Sequence, residues 1–323
     1  MIECEGITKR YSADFIALDR LTLSIGAGEV FGFIGPNGAG KTTTIRILCG
    51  LLRPTSGVAA IDGHDVARDL SAIRRLTGYL PDAFGVYEEM RVWEYLDFFG
   101  ACFKIPRKKR KPRIEEVLEI TGAPAMRDYF VDTLSRGMRQ RLGIAKTLMH
   151  DPKVLFLDEP ANGLDPRARI DMRLLIRRLS GLGKTLLVSS HILPELASIC
   201  DKVGIIERGR LLAFGTVAEI TRQVTPNRRV SLEFLGGAEP VKKLAGTLER
   251  EGALSKPEIF DNLLQFEAVG DEEALSLILK RFMDAGTRVA WFREEAGDLE
   301  EAFMKVTEGV AAGARQAVSD ASD

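Results

Sequence analysis

The string GPNGAGKTT at residues 35–43 sets glycines, a lysine and two threonine hydroxyls in one short loop with the spacing G-x-x-x-x-G-K-[ST]. It follows the apolar run EVFGFI (29–34) and runs into TTIRILCGLL (43–52), which has helical character. Glycines at such a turn let successive backbone N–H groups point inward at phosphate oxygens, and the helix that opens there adds its positive dipole end. Gly35, Pro36, Asn37, Gly38, Ala39, Gly40, Lys41, Thr42 and Thr43 therefore read as a phosphate cradle. Lys41 is expected to reach the terminal phosphates of a nucleotide, and the Thr42 hydroxyl to face Mg²⁺.

A second run, VLFLDEP (154–160), ends an apolar strand on two carboxylates. A carboxylate at the end of a buried strand is costly unless it meets a cation, so Asp158 reads as a Mg²⁺ partner acting through water. Glu159 beside it can act as general base on the attacking water. The bland alternative is a turn-capping Asp158 and a solvated Glu159. His191 follows TLLVSS at a third strand end, where it can orient a water or cap the strand. Tyr11 lies upstream of the loop and suits either adenine stacking or a core position. LSRGM (134–138) carries a serine and a glycine suited to phosphate, although it lies far along the chain from the cradle.

These residues need a scaffold that brings strand ends together. EVFGFIG (29–35), KVLFLDEP (153–160) and KTLLVSSH (184–191) are continuous apolar runs closed by polar residues, as buried parallel strands are. Alternation with helical patterns predicts an α/β sheet flanked by helices. Residues 90–150 read as mainly helical, with VWEYLDFFGACF (92–103) rich in aromatics. The basic run PRKKRKPR (106–113) reads as a solvated turn between helices, since it has two prolines and no interleaved aromatics. Beyond RQVTPNRRV (222–230) the pattern is β-α-β-α-β-α, a small α+β domain. Its last helix would place Leu299, Ala302, Phe303 and Val306 on one face, and the tail AAGARQAVSDASD lacks any apolar period and reads as disordered.

Taken in order, Tyr11, GPNGAGKTT, LSRGM, VLFLDEP, NGLDP (162–166) and SSH (189–191) resemble the motif series of the ATP-binding-cassette (ABC) ATPases over residues 1–222. The chain is most similar to the ATPase subunits of ABC-2 type exporters, through VFGFIGPNGAGKTTTIRILCGLLRPTSG, YLP, SRGM followed by QR, and the terminal LEEAFMKVTEG. The resemblance implies an α/β P-loop NTPase fold of the ABC type, a mixed sheet core with a helical subdomain at about 90–150. An accessory α+β domain at 223–309, regulatory or dimer-supporting, and a tail at 310–323 would complete the chain.

It also implies ATP and Mg²⁺ as ligands, with two chains closing head to tail around two ATP molecules. Ser135 and the Gly137 N–H would then bind the γ-phosphate held by the other chain's Lys41, with Asp165 at the same interface. Asp82, in GYLPD (78–82), stands where the family has glutamine or glutamate, and would hold Mg²⁺ or a water. Arg136 and Met138 replace one glycine and the glutamine of the usual LSGGQ signature, and Gly137 keeps the other glycine. An integral membrane permease would dock a short helix on residues 83–99, where Tyr87 and Trp93 either form the groove or pack the subdomain. The expected location is peripheral, on the cytoplasmic face of the cell membrane.

The bulk properties fit. A chain of 323 residues has ample length for two domains, and 45% hydrophobic with 28% charged residues is an ordinary globular composition. A net charge of −1 gives no footprint for nucleic acid. Cys4, Cys49, Cys102 and Cys200 are scattered and read as free thiols of a reducing compartment, and His64 and His150 have no ligand context. The beginning, MIECEGITKRY, lacks a signal-peptide pattern, and no run approaches the roughly 18–20 apolar residues of a membrane span. A DNA-repair ABC protein would carry a long coiled coil between Lys41 and Ser135, and a translation-type one would carry two cassettes. Neither is present, and the signature and terminal helix favour export over import.

Overall fold

Continuous apolar runs become fully buried strands. In β3 (Val30–Ile34), β7 (Val154–Asp158) and β8 (Thr185–Ser190) every residue is buried, as parallel strands covered on both faces require. The structure is a computed structural model and describes residues 1–87, 89–192, 196, 198–224, 228–268 and 270–294. The expected helix with Leu299, Ala302, Phe303 and Val306, and the tail, lie outside the described residues. The chain divides into two compact units after Val217.

The first unit begins with β1 (Ile2–Arg10) and β2 (Ile16–Ile25), then β3, α1 (Lys41–Leu48), β4 (Ser56–Ile61), β5 (His64–Asp65), α2 (Leu70–Leu76) and β6 (Thr77–Leu80). It continues through α3 (Val92–Cys102), α4 (Arg107–Ile120), α5 (Arg136–Leu148), β7, α6 (Pro166–Gly181), β8, β9 (Lys202–Glu207) and β10 (Arg210–Gly215). Six strands form one sheet in the order β10-β9-β3-β8-β7-β6, parallel except for the antiparallel β9–β10 pair. An antiparallel sheet, β2-β1-β4-β5, accompanies it. The alternating burial of Ile2, Glu3, Cys4 and Glu5 in β1 is the period-2 pattern of a half-buried strand.

Register sets the site. Ile34 pairs with Ser190, Asp158 with Ser189, and Leu80 with Leu157, so β3, β6, β7 and β8 end at one edge. Gly35, Asp82, Glu159 and His191 all follow those ends, at the carboxyl edge where parallel sheets gather ligands. Beneath them Phe31, Phe33, Ile45, Phe156 and Leu187 share one core. Phe156→Ala is expected to cost about 3–5 kcal/mol, read as a lowered denaturant midpoint with unchanged slope.

Helices α3, α4 and α5 form the helical region, with Tyr95, Leu96, Val117, Leu118, Leu142 and Ile144 buried. The basic run there is not a turn: residues 107–113 are the first half of α4. Pro106 is the N-cap, and Pro112, inside the helix, removes one backbone donor without ending it. Arg107, Lys108, Lys109 and Lys111 are exposed, as a solvated run would be, while Arg110 and Arg113 meet acceptors. Arg110 Nε donates to Ile105 O (2.9 Å) and its Nη1 to Asp97 (3.1 Å), while Arg113 donates to Met149 O (3.1 Å) and Leu148 O and pairs with Glu116 (2.9 Å).

Helix α7 (Val217–Val224) opens the second part of the chain, followed by β11 (Arg228–Leu235), α8 (Ala238–Arg250), β12 (Ser255–Phe260), β13 (Leu263–Ala268), α9 (Glu272–Asp284) and β14 (Arg288–Glu294). The four strands pair antiparallel in the order β12-β13-β11-β14. Val241, Ala245, Leu248, Leu275, Ile278 and Phe282 of α8 and α9 pack on Val230, Leu232, Phe234, Leu264 and Phe266. The sequence pattern passes over β12. It is an edge strand, where Pro257 withholds no central ladder bond, and its alternation joins lysine and glutamate to Ile259.

Candidate active site

The phosphate loop is shaped by close backbone approach. A Cβ on Gly35 would fall 2.2 Å from Ile206 O, and one on Gly40, at φ +113°, would fall 2.7 Å from Ala17 O. Gly40 is the N-cap of α1 and has no side chain to satisfy the first-turn N–H groups. They border a hollow of about 210 Å³ lined by Phe15, Ala17, Pro36 through Thr43, Asp82 and Glu159. Open N–H groups at a helix start, with a lysine beside them, fit a phosphate chain.

Lys41 is buried (6% exposed) and donates to Gly35 O and Pro36 O, while its Nζ lies 3.2 Å from Glu159 Oε1. Glu159 Oε2 lies 2.9 Å from His191 Nδ1. One buried carboxylate thus sits between the loop lysine and the strand-end histidine. Oε1 meets Lys41 at ion-pair distance but receives no hydrogen bond, leaving it a buried acceptor beside the hollow. Glu159 has φ +50°, a left-handed conformation that costs a non-glycine residue about 1–2 kcal/mol. Its N–H is held by Ser189 Oγ (3.0 Å) and directed at Ser189 O (3.2 Å), which fixes the turn.

Asp158 is almost fully buried (1% exposed), accepting from Thr42 Oγ1 (2.8 Å) and Ser189 Oγ (2.6 Å). Its charge is felt around it. Burial first, and Asp158 second, push the Cys49 thiol up, and the same two causes push the Tyr79 hydroxyl up to about 12. Oxygen donors from Thr42, Asp158 and Asp82 near the hollow suit a hard cation. Among the described residues no three His, Cys, Asp or Glu side chains converge on one point. A Mg²⁺ ion held mainly by phosphate and water needs no such cluster.

The other expected residues are placed less centrally. Tyr11 is half exposed and stacks on Phe15 (ring centroids 5.9 Å apart, 21° between planes), and it is Phe15 that lines the hollow. Asp82 is exposed and accepts from Asn162 Nδ2 (3.1 Å). Ser135 is the N-cap of α5, its Oγ accepting from Met138 N (3.4 Å), and Asp165 caps α6 through Arg167 N and Ala168 N, each at 3.0 Å. Ser135, Gly137 and Asp165 are absent from the residues lining the chain's own hollow. Tyr87 is half exposed against Phe98, while Trp93 is partly buried with the Arg127 guanidinium over its ring. His150 is partly buried, bonded to Thr77 O and stacked on Phe103. Sequence reasoning passed over Phe15, and it gave Asn162 and Ser189 no role of their own although they stand in NGLDP and SSH. The aromatic in YSADF between two strands was a readable signal for the first of them.

The model of the ABC transporter family matches residues 18–162. The daunorubicin resistance ATP-binding protein DrrA3 of Streptomyces coeruleorubidus is 34% identical over 317 residues, covering 95% of both chains. The chain belongs to the ABC transporter ATP-binding proteins. A probable multidrug ABC transporter ATP-binding protein, YbhF of Escherichia coli, is 37% identical over 223 residues, and there the match spans 69% of this chain but 38% of the relative's length. Among solved structures, a dimeric ATP-binding cassette in a post-hydrolysis state bound to ADP and Pi superposes with a TM-score of 0.61 at 25% identity, over 67% of this chain and 98% of that one. The fold of the first unit is accordingly the ABC ATPase cassette, a mixed sheet with a helical region. No described helix of this ABC ATPase is long and apolar enough to cross a membrane.

Proposed function

We propose that this chain is the ATP-hydrolysing subunit of a membrane exporter, closing head to tail with a second copy around two ATP molecules. The observation that carries the reading is Glu159 held between Lys41 and His191 at the mouth of the phosphate hollow. A γ-phosphate entering the hollow competes for Lys41 with Glu159 and the loop carbonyls, freeing the carboxylate to face water. Glu159 then takes a proton as water attacks the γ-phosphorus and the bond to the bridging oxygen breaks, and His191 holds Glu159 and the phosphate in register. Thr42 and Asp158, with Asp82, would hold Mg²⁺, which neutralises phosphate charge when bound. Tyr11, backed by Phe15, offers its exposed ring to adenine.

Ser135 and Gly137 have no partner role in their own hollow, so the second copy's γ-phosphate is their ligand in this reading, with Asp165 beside them. Closure then depends on ATP, and hydrolysis removes the bridge. Export rests on the relatives, one named for daunorubicin resistance and another as a probable multidrug transporter component. The permease would meet the segment 83–99 from the membrane side, placing the chain on the cytoplasmic face. The second compact unit carries no evident catalytic set among its described residues and would support or regulate the dimer. Tagged chain purified from detergent-solubilised membranes of its own cells should retain a multispanning protein, and its absence both with and without ATP would overturn the exporter part.

A further inference from the structure

Arg136 stands where the family's signature has a glycine, and it forms no hydrogen bond or ion pair through its side chain among the described residues. Its guanidinium lies instead against Gly163. A Cβ built on Gly163 would fall 2.5 Å from Arg136 Cζ, 2.7 Å from Nη1 and 2.9 Å from Nε, so the contact exists only because residue 163 has no side chain. Gly163 has φ +65° and sits between Asn162, which donates to Asp82, and Asp165, which caps α6. Asp82 in turn lines the chain's own phosphate hollow. On the other side, Asp82 and Arg136 border one groove of about 380 Å³, with Phe84, Leu134 and Gln140 among its walls. Two of the residues that depart from the family pattern, Asp82 and Arg136, are therefore joined through the dipeptide Asn162–Gly163.

We infer that Arg136 is a positioning residue, fixing the Ser135–Gly137 turn to the 160–165 loop so that the surface offered to a second copy follows what Asp82 meets. The inference rests on the composite-site reading above. A planar guanidinium can lie flat on a glycine peptide and a lysine ammonium cannot, so shape rather than charge is what the contact uses. The contact also gives Arg136 a defined place although the side chain is exposed. Positioning of this kind changes how often the closed geometry is reached and leaves ATP affinity in the chain's own hollow alone.

The test is steady-state ATP hydrolysis by the full chain. Arg136→Gln should lower kcat about five- to tenfold, within the range of a coupling contact, with KM for ATP within about twofold. Arg136→Lys should not restore the rate. Gly163→Asn keeps a residue that tolerates left-handed backbone but adds the Cβ that evicts the guanidinium, and it should cause a similar loss. The double variant should be no slower than either single one, because both remove the same contact. Multiplying effects, full rescue by lysine, a raised KM or an unchanged kcat would each overturn the inference. Ser135→Arg is run beside them. If it leaves the rate intact, the composite-site reading has failed; if it abolishes the rate while the other effects multiply, only the role of Arg136 has.

Discussion

Glu159→Gln is expected to slow ATP turnover about 10²–10⁴-fold, the contribution of a positioned general base, while an ATP-bound dimer accumulates. The residue is 8% exposed, and its two carboxylate oxygens face Lys41 Nζ at 3.2 Å and His191 Nδ1 at 2.9 Å. Glutamine keeps the shape but cannot accept the proton of the attacking water. It also removes a negative group that competes with phosphate for Lys41, so ATP affinity should hold or rise. Lys41 is not stranded by the change, because the Gly35 and Pro36 carbonyls still accept from it. The expected signature is therefore split: single-turnover hydrolysis collapses while size-exclusion in Mg²⁺ and ATP shows more dimer than the parent chain. A variant that turns over at the parent rate would remove Glu159 from the chemistry.

What was readable in the sequence was what depends on local pattern. The apolar runs before Gly35, Asp158 and His191 name their strands, and polar residues after such runs mark the carboxyl edge of the sheet. The convergence of Lys41, Glu159 and His191 follows once those strands are parallel neighbours. Ser189 was not readable as the residue that ties Asp158 and the Glu159 N–H together, because that depends on the β7–β8 register pairing Asp158 with Ser189. The basic run misled for a related reason. Arg107, Lys108, Lys109 and Lys111 are exposed as their sequence suggests, but they lie on a helix, and only the fold supplies Arg110 and Arg113 with Asp97, Glu116 and the Leu148 and Met149 carbonyls as acceptors. The Arg136–Gly163 contact joins the first residue of α5 to the loop after β7, and neither residue announces the other.

Chains carrying Ser135→Arg mixed with chains carrying Lys41→Ala are expected to recover activity that neither has alone. Each variant by itself should lose about 10²–10³-fold, as when one transition-state donor is removed. Lys41→Ala removes the cation of the hollow. Ser135→Arg places bulk and charge on the surface offered outward, and the lost α5 cap costs only about 1 kcal/mol, so the chain still folds. In a head-to-tail pair of the two, one site combines the intact Lys41 of one chain with the intact Ser135 of the other, and the second site carries both lesions. Equal mixing makes half the dimers mixed, with one good site each, so activity should peak near the equal mixture at about a quarter of the parent value. If each chain instead used its own signature, no mixture would contain an intact site and the titration would stay flat. The difference follows from Ser135 lying outside the residues that line its own hollow, and it needs no knowledge of the exported substrate.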